Sequence, residues 1–385
     1  LLKQVAAPEV IIIGAGPVGL LMAAELARRS ITVEVLEQRP MASPGTRAIG
    51  VHAPVLAALE ASGLTGVLLD QAHRVTGGEA RSQGRLLGTV RFDKLSVRFP
   101  FVATLPQSVT EQVLSQAAPP VSRGVQATAL EPAADQVYVH TTAGKRRAGL
   151  VIVAGGARSR HLVYKNPESH TYRDRYLMTD VPVADQASAT TAVVHLDDIG
   201  VLESFPLPGG QRRFVAWDRP GSSTDPQAQQ DRMERALTAR GETVIGRTSG
   251  FGVRRYVAPR MRNGRIIVIG DAAHEVSPIG GQGMNLGLLD AATLAPLLGQ
   301  WLATRVPPLE ALHTWERARL TSSYRAAKLA GMNTLLGRPA PAPVDAVRRH
   351  GLRIMLGPGT GALFARAYSM GFDRVNGSAD TLPDH

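Results

Sequence analysis

The run Val10-Ile11-Ile12-Ile13 is continuously apolar and β-branched, the pattern of a short strand buried on both faces of a parallel sheet. A glycine turn follows it. Val18 to Arg29 then reads as a helix and Thr32-Val33-Glu34-Val35-Leu36 as a second strand, which completes a βαβ unit of about thirty residues. Val10 to Ala27 is the longest apolar run and approaches membrane-spanning length. Gly14, Gly16, Pro17 and Gly19 interrupt it early and Glu25 late, so it reads as strand, turn and helix. Further on, Pro54 to Ser62 predicts a helix stopped at Gly63, with short strands near 86 to 104 and a helix over Val109 to Ala117. Val137 to His140 and Gly149 to Val153 predict two more strands.

The middle third changes character. Strand-like pieces at Ala192 to Leu196, Glu203 to Pro206 and Arg213 to Trp217 are separated by Pro and Gly turns, as in an antiparallel sheet, and Asp225 to Arg240 is a polar helix. Arg265-Ile266-Ile267-Val268-Ile269 returns to the buried-strand pattern. A second glycine-rich turn and a long helical tail from Leu286 to about Gly331 follow, and Pro339 to Pro343 separates that tail from a last helix over Val344 to Met355. The fold expected is α/β: a discontinuous Rossmann-like domain with an inserted antiparallel-sheet domain and C-terminal helices. The boundaries are 1–164 for its first part, with a strand excursion at about 70–105, then 165–258 for the insert, 259–300 for the return and 301–385 for the helices.

Composition narrows the classes. The 385 residues are 44% hydrophobic and 19% charged, ordinary globular values that exclude a mainly disordered chain. Without cysteine there is no disulfide, thiolate metal site or cysteine nucleophile. Net charge is +11, yet only five of the 43 basic residues are lysine, and they are scattered rather than striped. Coding bias accounts for that as well as attraction to an anion does. The densest clusters, Lys145-Arg146-Arg147 and Arg348-Arg349, are too short to line a nucleic-acid groove, so no nucleic-acid partner is expected. His52, His140 and His195 lack metal-ligand spacing, and no metal is expected. No secretory leader pattern opens the sequence, which favours the cytoplasm; apolar tail helices leave a lid or a peripheral membrane contact open, and oligomeric state is unreadable.

Gly14-Ala15-Gly16-Pro17-Val18-Gly19 is a GxGxxG directly after a strand and opening a helix. In that context Gly14 permits the tight turn, Gly16 lets a pyrophosphate approach the backbone, and Gly19 lets helix and strand pack closely. The helix N-terminus offers free N–H groups to the phosphates. Glu37 ends the second strand, where an acid is expected to bind a ribose diol. Together these features predict an adenine dinucleotide.

The second glycine site narrows the choice. Gly270-Asp271-Ala272-Ala273-His274 follows the strand 265–269, and Ser277-Pro278-Ile279-Gly280-Gly281-Gln282-Gly283-Met284-Asn285-Leu286-Gly287 leads into the tail helix and on to Asp290. This resembles the FAD-dependent single-component aromatic hydroxylases, with Ser277-Pro278 closer to the phenol and polyketide branches than to the ubiquinone branch. The likeness runs from the first strand to about residue 330. It implies FAD as cofactor, NAD(P)H (NADPH favoured) as transient co-substrate, and O₂. It assigns Asp271, after Gly270, to the ribityl chain, and Pro278, Gly280, Gly281, Gln282, Gly283, Met284 and Asn285 to the isoalloxazine, with the Pro278 backbone near the reacting centre. Nucleotide contacts fall to Gly14, Gly16, Pro17, Val18, Gly19, Glu37, Gln38 and Arg39, with Arg47 and Gln107 at the family's Arg and Gln positions. Arg39 and Arg47 read equally as surface arginines.

A third family signature, Ala-Asp-Gly-Ala-Arg-Ser, stands here as Ala154-Gly155-Gly156-Ala157-Arg158-Ser159, without the Asp. Gly155 either alters nicotinamide handling or only changes turn geometry. The stretch from Ser159 to Tyr172 is also short for the family. His274 belongs to the structural turn of the fingerprint rather than to a base. Phe99, Phe101, Phe205, Phe214 and Trp217 are candidates for an apolar substrate wall or for sheet core, and Arg213 for an anion contact. The resemblance implies hydroxylation of an aromatic or phenolic small molecule through a flavin C4a-hydroperoxide. Alternatives on the same scaffold are an epoxidase, a Baeyer-Villiger oxygenase, and an FAD-bearing binding protein or non-redox cyclase. A halogenase is disfavoured, for no Trp-x-Trp-x-Ile-Pro segment is present.

Overall fold

Val10–Ile13 forms the centre of a parallel sheet because all four side chains are buried, leaving no polar face to present to water. It pairs in parallel with Val33–Glu37 on one side and Leu150–Val153 on the other. Ile266–Val268 and Val121–Arg123 extend the sheet outward, and the short antiparallel strand Arg262–Asn263 completes six. The computed structural model describes residues 7–42, 48–183, 190–242, 246–279, 281–357, 361–368 and 370. Helix Pro17–Ala27 packs against Gly283–Thr304 and Gln107–Ala117. A three-stranded antiparallel sheet, Ala127–Pro132, Val137–Thr141 and Gly144–Ala148, precedes Leu150–Val153 in the chain.

A second large sheet has eight strands, ordered His274–Glu275, Ser249–Val257, His170–Pro182, Gln211–Asp218, Gly200–Leu207, Thr191–Asp197, Gly77–Ser82 and Arg85–Arg91. The last two come from the early excursion and join by a parallel pairing to Thr191–Asp197. Side chains alternate across this sheet, so successive residues serve different cores. Leu177, Val181, Leu202, Phe214 and Ala216 bury against Met233 and Leu237 of helix Pro226–Thr238. Tyr176, Met178, Val201, Val215, Phe251 and Val253 form the core on the opposite face.

The helical tail differs from the single helix its pattern predicts. It is two helices, Gly283–Thr304 and Leu309–Leu336, broken where Arg305 takes a left-handed φ of 56° and Pro307-Pro308 follow. Proline removes the donor that would continue the ladder and its ring clashes with the preceding turn. Gly283–Thr304 is long and apolar enough to cross a membrane, but just over half of its most apolar window, 56%, is buried inside the fold. Ala342–Met355 and Gly361–Tyr368 then pack on strand Arg85–Arg91.

Candidate functional site

A continuous cavity of about 1040 Å³ is lined by residues of both large sheets. One end gathers the loops that leave the C-terminal ends of the parallel strands, the place where open α/β sheets bind ligands. Gly14, Gly16, Pro17 and Val18 line it after the first strand, Glu37, Gln38 and Arg39 after the second, and Asp271 after the strand Ile266–Val268.

The glycines at the first turn do different work. Gly14 holds φ at 108°, and a Cβ there would stand 2.6 Å from the Ala154 carbonyl oxygen. A Cβ on Gly19 would stand 2.0 Å from the Gly14 oxygen, so strand and helix meet only because residue 19 is glycine. Gly19 itself does not line the cavity. A Cβ on Gly16, by contrast, would meet nothing within 4 Å, which leaves the turn open toward the cavity. No side chain caps the helix that Pro17 opens, so its first-turn N–H groups stay available to a phosphate.

Glu37 is buried, and its carboxylate accepts from the Ala15 N–H at 2.9 Å and from the Arg39 N–H and Nε at 2.9 and 3.0 Å. Burial alone would raise this carboxyl. The Arg39 guanidinium and the two backbone donors outweigh it and hold Glu37 below the usual carboxylate range. Gln107 lies beside it: Oε1 accepts from the Ala48 N–H at 3.4 Å and Nε2 donates to Glu111 Oε1 at 2.9 Å. Glu111 also lines the cavity, and burial pushes its carboxyl up against the pull of Gln107 and Arg39. No motif in the sequence marks Glu111, although it sits one helical turn after Gln107. Arg47 and Gly280 lie outside the described residues.

The Asp271 turn is held from behind. Buried Asp290 accepts from the Gly270 N–H at 3.0 Å and from Arg319 Nε at 2.8 Å, and pairs with His274 Nε2 at 2.5 Å. Burial would raise Asp290, but His274 and Arg319 hold it low. Neither His274 nor Gly270 lines the cavity; the triad fixes the turn. Arg160 adds a bond to the Asp271 carbonyl at 2.6 Å.

Of the glycine-rich segment, Pro278, Ile279, Gly281, Gly283 and Met284 line the cavity. Gln282 and Asn285 do not. Gln282 Nε2 donates to the Ala367 carbonyl at 3.0 Å. Asn285 accepts from the His52 N–H at 2.8 Å and donates to the Gly50 and Gly281 carbonyls at 2.8 and 3.0 Å, clamping the loop to the strand Gly50–Val51. Helix Gly283–Thr304 also begins without a side-chain cap, a second positive helix end at the cavity. In the third signature, a Cβ on Gly155 would press on Ser159 Cβ at 2.9 Å, so this turn packs around the missing side chain.

The other end is built by the eight-stranded sheet. Phe205 and Arg213 line it with Val194, Leu196, Val201 and Glu203, and Asn333, Leu336, Leu352, Leu356 and Tyr368 close it from the C-terminal helices. Arg213 is 1% exposed and its Nε and Nη2 each donate to Asp180 at 2.6 Å, so its fork is engaged by a carboxylate of the same sheet. Phe214, one residue on, points to the opposite face, into the core against helix Pro226–Thr238. Trp217 is outside the lining and donates from Nε1 to Asp174 at 3.1 Å. Phe99 and Phe101 pack edge to face, centroids 6.1 Å apart, against the main core and away from the cavity. Glu203 and the tail residues carry no motif by which the sequence could single them out.

A family described as FAD binding domain matches residues 7–329. The chain belongs to that FAD binding domain family. The 6-methylpretetramide 4-monooxygenase of Streptomyces rimosus is 33% identical over 312 residues, 75% of this chain. The chain spans 55% of that relative's length. The anhydrotetracycline hydroxylase of Streptomyces rimosus superposes with a TM-score of 0.77 at 26% identity, covering 94% of this chain and 76% of the other. The p-nitrophenol 4-monooxygenase of Pseudomonas putida DLL-E4 shares the fold, with a TM-score of 0.82 at 23% identity over 95% and 97% of the two chains. As a member of the FAD binding domain family the chain has polar groups that fit the cofactor: N–H donors at an open glycine turn and two uncapped helix ends, and an accepting carboxylate at the second strand.

Proposed function

We propose that this protein is an FAD-dependent monooxygenase of the cytoplasm that hydroxylates an aromatic or phenolic small molecule with NAD(P)H and O₂. The observation that carries the reading is the continuity of the cavity: a dinucleotide-type end and a largely apolar chamber share one space. The names of the relatives, monooxygenases and a hydroxylase of 6-methylpretetramide, anhydrotetracycline and p-nitrophenol, support an aromatic ring as substrate.

In this reading residues 1–164 and 259–300 form a Rossmann-like FAD domain, 165–258 with the strands Gly77–Ser82 and Arg85–Arg91 form the inserted substrate domain, and the C-terminal helices close it. The helix opened by Pro17 binds the pyrophosphate, Glu37 the adenosine ribose, with Arg39 and Gln107 beside it, and Asp271 the ribityl chain. Pro278, Gly281, Gly283 and Met284 lie against the ring system, and the N-terminus of Gly283–Thr304 stabilises negative charge there. Bound FAD would take a hydride from NAD(P)H and activate O₂, so that one oxygen atom enters the aromatic ring and the other leaves as water. Val194, Leu196, Val201 and Leu336 exclude water from that space. Exposed Arg158 and Arg254 line the cavity and favour the extra phosphate of NADPH over NADH.

The test is NADPH oxidation and oxygen uptake by the FAD-loaded protein across a panel of phenols, naphthols and anthraquinones, with labelled dioxygen. One labelled oxygen atom in a product supports the reading. NADPH consumption that yields only hydrogen peroxide with every compound, or none at all, overturns it.

A further inference from the structure

At the sheet end of the cavity one carboxyl stands apart from the other polar groups. Glu203 lies on the strand Gly200–Leu207 between Val201 and Phe205, the three of them lining the cavity, and is 6% exposed. Among the described residues its carboxyl makes no hydrogen bond or ion pair. Its neighbours differ in this respect. Arg213, across on the next strand, is engaged by Asp180, and Tyr368 donates to Asn333 Oδ1 at 2.7 Å.

Nothing cationic offsets the burial of Glu203, which pushes its carboxyl up to about 8. The titratable groups that feel its charge are the Tyr176 and Tyr368 hydroxyls, both held above the ordinary phenol value by burial first and by Glu203 second. Neither supplies a positive charge. A neutral carboxyl has one O–H to donate and a carbonyl oxygen to accept, and here it lines the cavity without a protein partner for either. A ligand oxygen placed beside it supplies one. A ligand carboxylate in the same place loses its hydration and finds the Arg213 fork already bonded to Asp180.

We propose that Glu203 is a specificity-determining residue of this cavity, its carboxyl hydrogen-bonding to a carbonyl or hydroxyl oxygen of an uncharged aromatic substrate and disfavouring substrates that carry a carboxylate at that end. The inference rests on the monooxygenase reading for the identity of the cavity's occupant, while the contact itself is read by binding.

Two probes of matched ring system, 1-hydroxyanthraquinone and anthraquinone-2-carboxylate, are titrated into FAD-loaded protein by calorimetry at about pH 6.5. Wild type is expected to bind the uncharged probe about tenfold or more tightly than the carboxylate. Glu203→Gln, which keeps a donor and an acceptor, stays within about threefold of wild type, whereas Glu203→Leu loses about tenfold for the uncharged probe. Infrared difference spectra need no Leu variant. A protonated-carboxyl stretch present in wild type and missing from Glu203→Gln should move to lower frequency when 1-hydroxyanthraquinone binds. Equal binding by Glu203→Leu, preference for the carboxylate, no binding of the uncharged probe, or no such stretch would each overturn the proposal. NADPH oxidation in the same samples separates the two readings: selective binding without any NADPH oxidation leaves the Glu203 contact standing and removes the monooxygenase.

Discussion

The two ends of the cavity are made of different material. At the glycine end the polar groups offered to the cavity are mostly backbone, an open turn at Gly16 and two uncapped helix ends, with the Glu37 carboxylate held beside them by main-chain donors and Arg39. Each of these is set by a few consecutive residues. At the sheet end the contacts come from side chains that alternate along strands distant in sequence and from helices at the far end of the chain. Rigid recognition of a constant cofactor suits the first construction. A chamber whose ligand differs among relatives suits the second, because single substitutions there change shape without disturbing the turns.

The contrast is broken most severely behind the nucleotide end. Asp290→Ala leaves Arg319 buried without its carboxylate and the Gly270 N–H without an acceptor, with an expected loss of about 3–5 kcal/mol. Urea unfolding measures it, and FAD retention should fall with it. Gly19→Ala forces a Cβ into the Gly14 oxygen, an overpacking penalty of about 1–3 kcal/mol, and should release FAD on gel filtration while Gly16→Ala, with open space before it, keeps the fold.

At the sheet end the expected effects run through charge and selectivity. The Glu203 carboxyl is raised to about 8 in the folded chain from about 4.3 unfolded, so its contribution to stability is full below about pH 4.3 and is lost as pH rises through about 8. Glu203→Gln should therefore raise Tm by an amount that grows between about pH 5 and pH 8 and then levels off. A pH-independent difference in Tm contradicts the burial of that carboxyl. Last, Phe205→Leu and Phe214→Leu separate the two faces of one sheet. The first should change the affinity for 1-hydroxyanthraquinone with little change in Tm, whereas the second, a large-to-small change in a fully buried core, should lower Tm through a loss of about 0.5–3 kcal/mol and leave affinity alone.

How much was legible in the sequence follows the same division. The strand, turn and helix around Gly14 and the acid at Glu37 were readable, because continuous β-branched runs and glycine spacing are local signals. The glycine-rich segment was readable as a segment but not residue by residue: Asn285 and Gln282 turn inward to backbone carbonyls, and spacing does not reveal which way a loop side chain faces. On the sheet, Arg213 and Phe214 looked alike as neighbours, yet period-two alternation sends them to opposite faces. Phe99 and Phe101 had the composition of a wall and the position of a core. Glu203, Leu352, Leu356 and Tyr368 were silent, since only tertiary packing brings the tail helices to the cavity.

In the proposed function one cavity holds FAD at its glycine end and an aromatic molecule at its sheet end. Anaerobic addition of NADPH to FAD-loaded protein, following the flavin absorbance with and without 1-hydroxyanthraquinone, tests it most directly. Loss of the oxidised flavin band that is faster with the anthraquinone than without it is the predicted result. A flavin that stays oxidised in both cases, or is reduced at the same rate in both, would contradict the account.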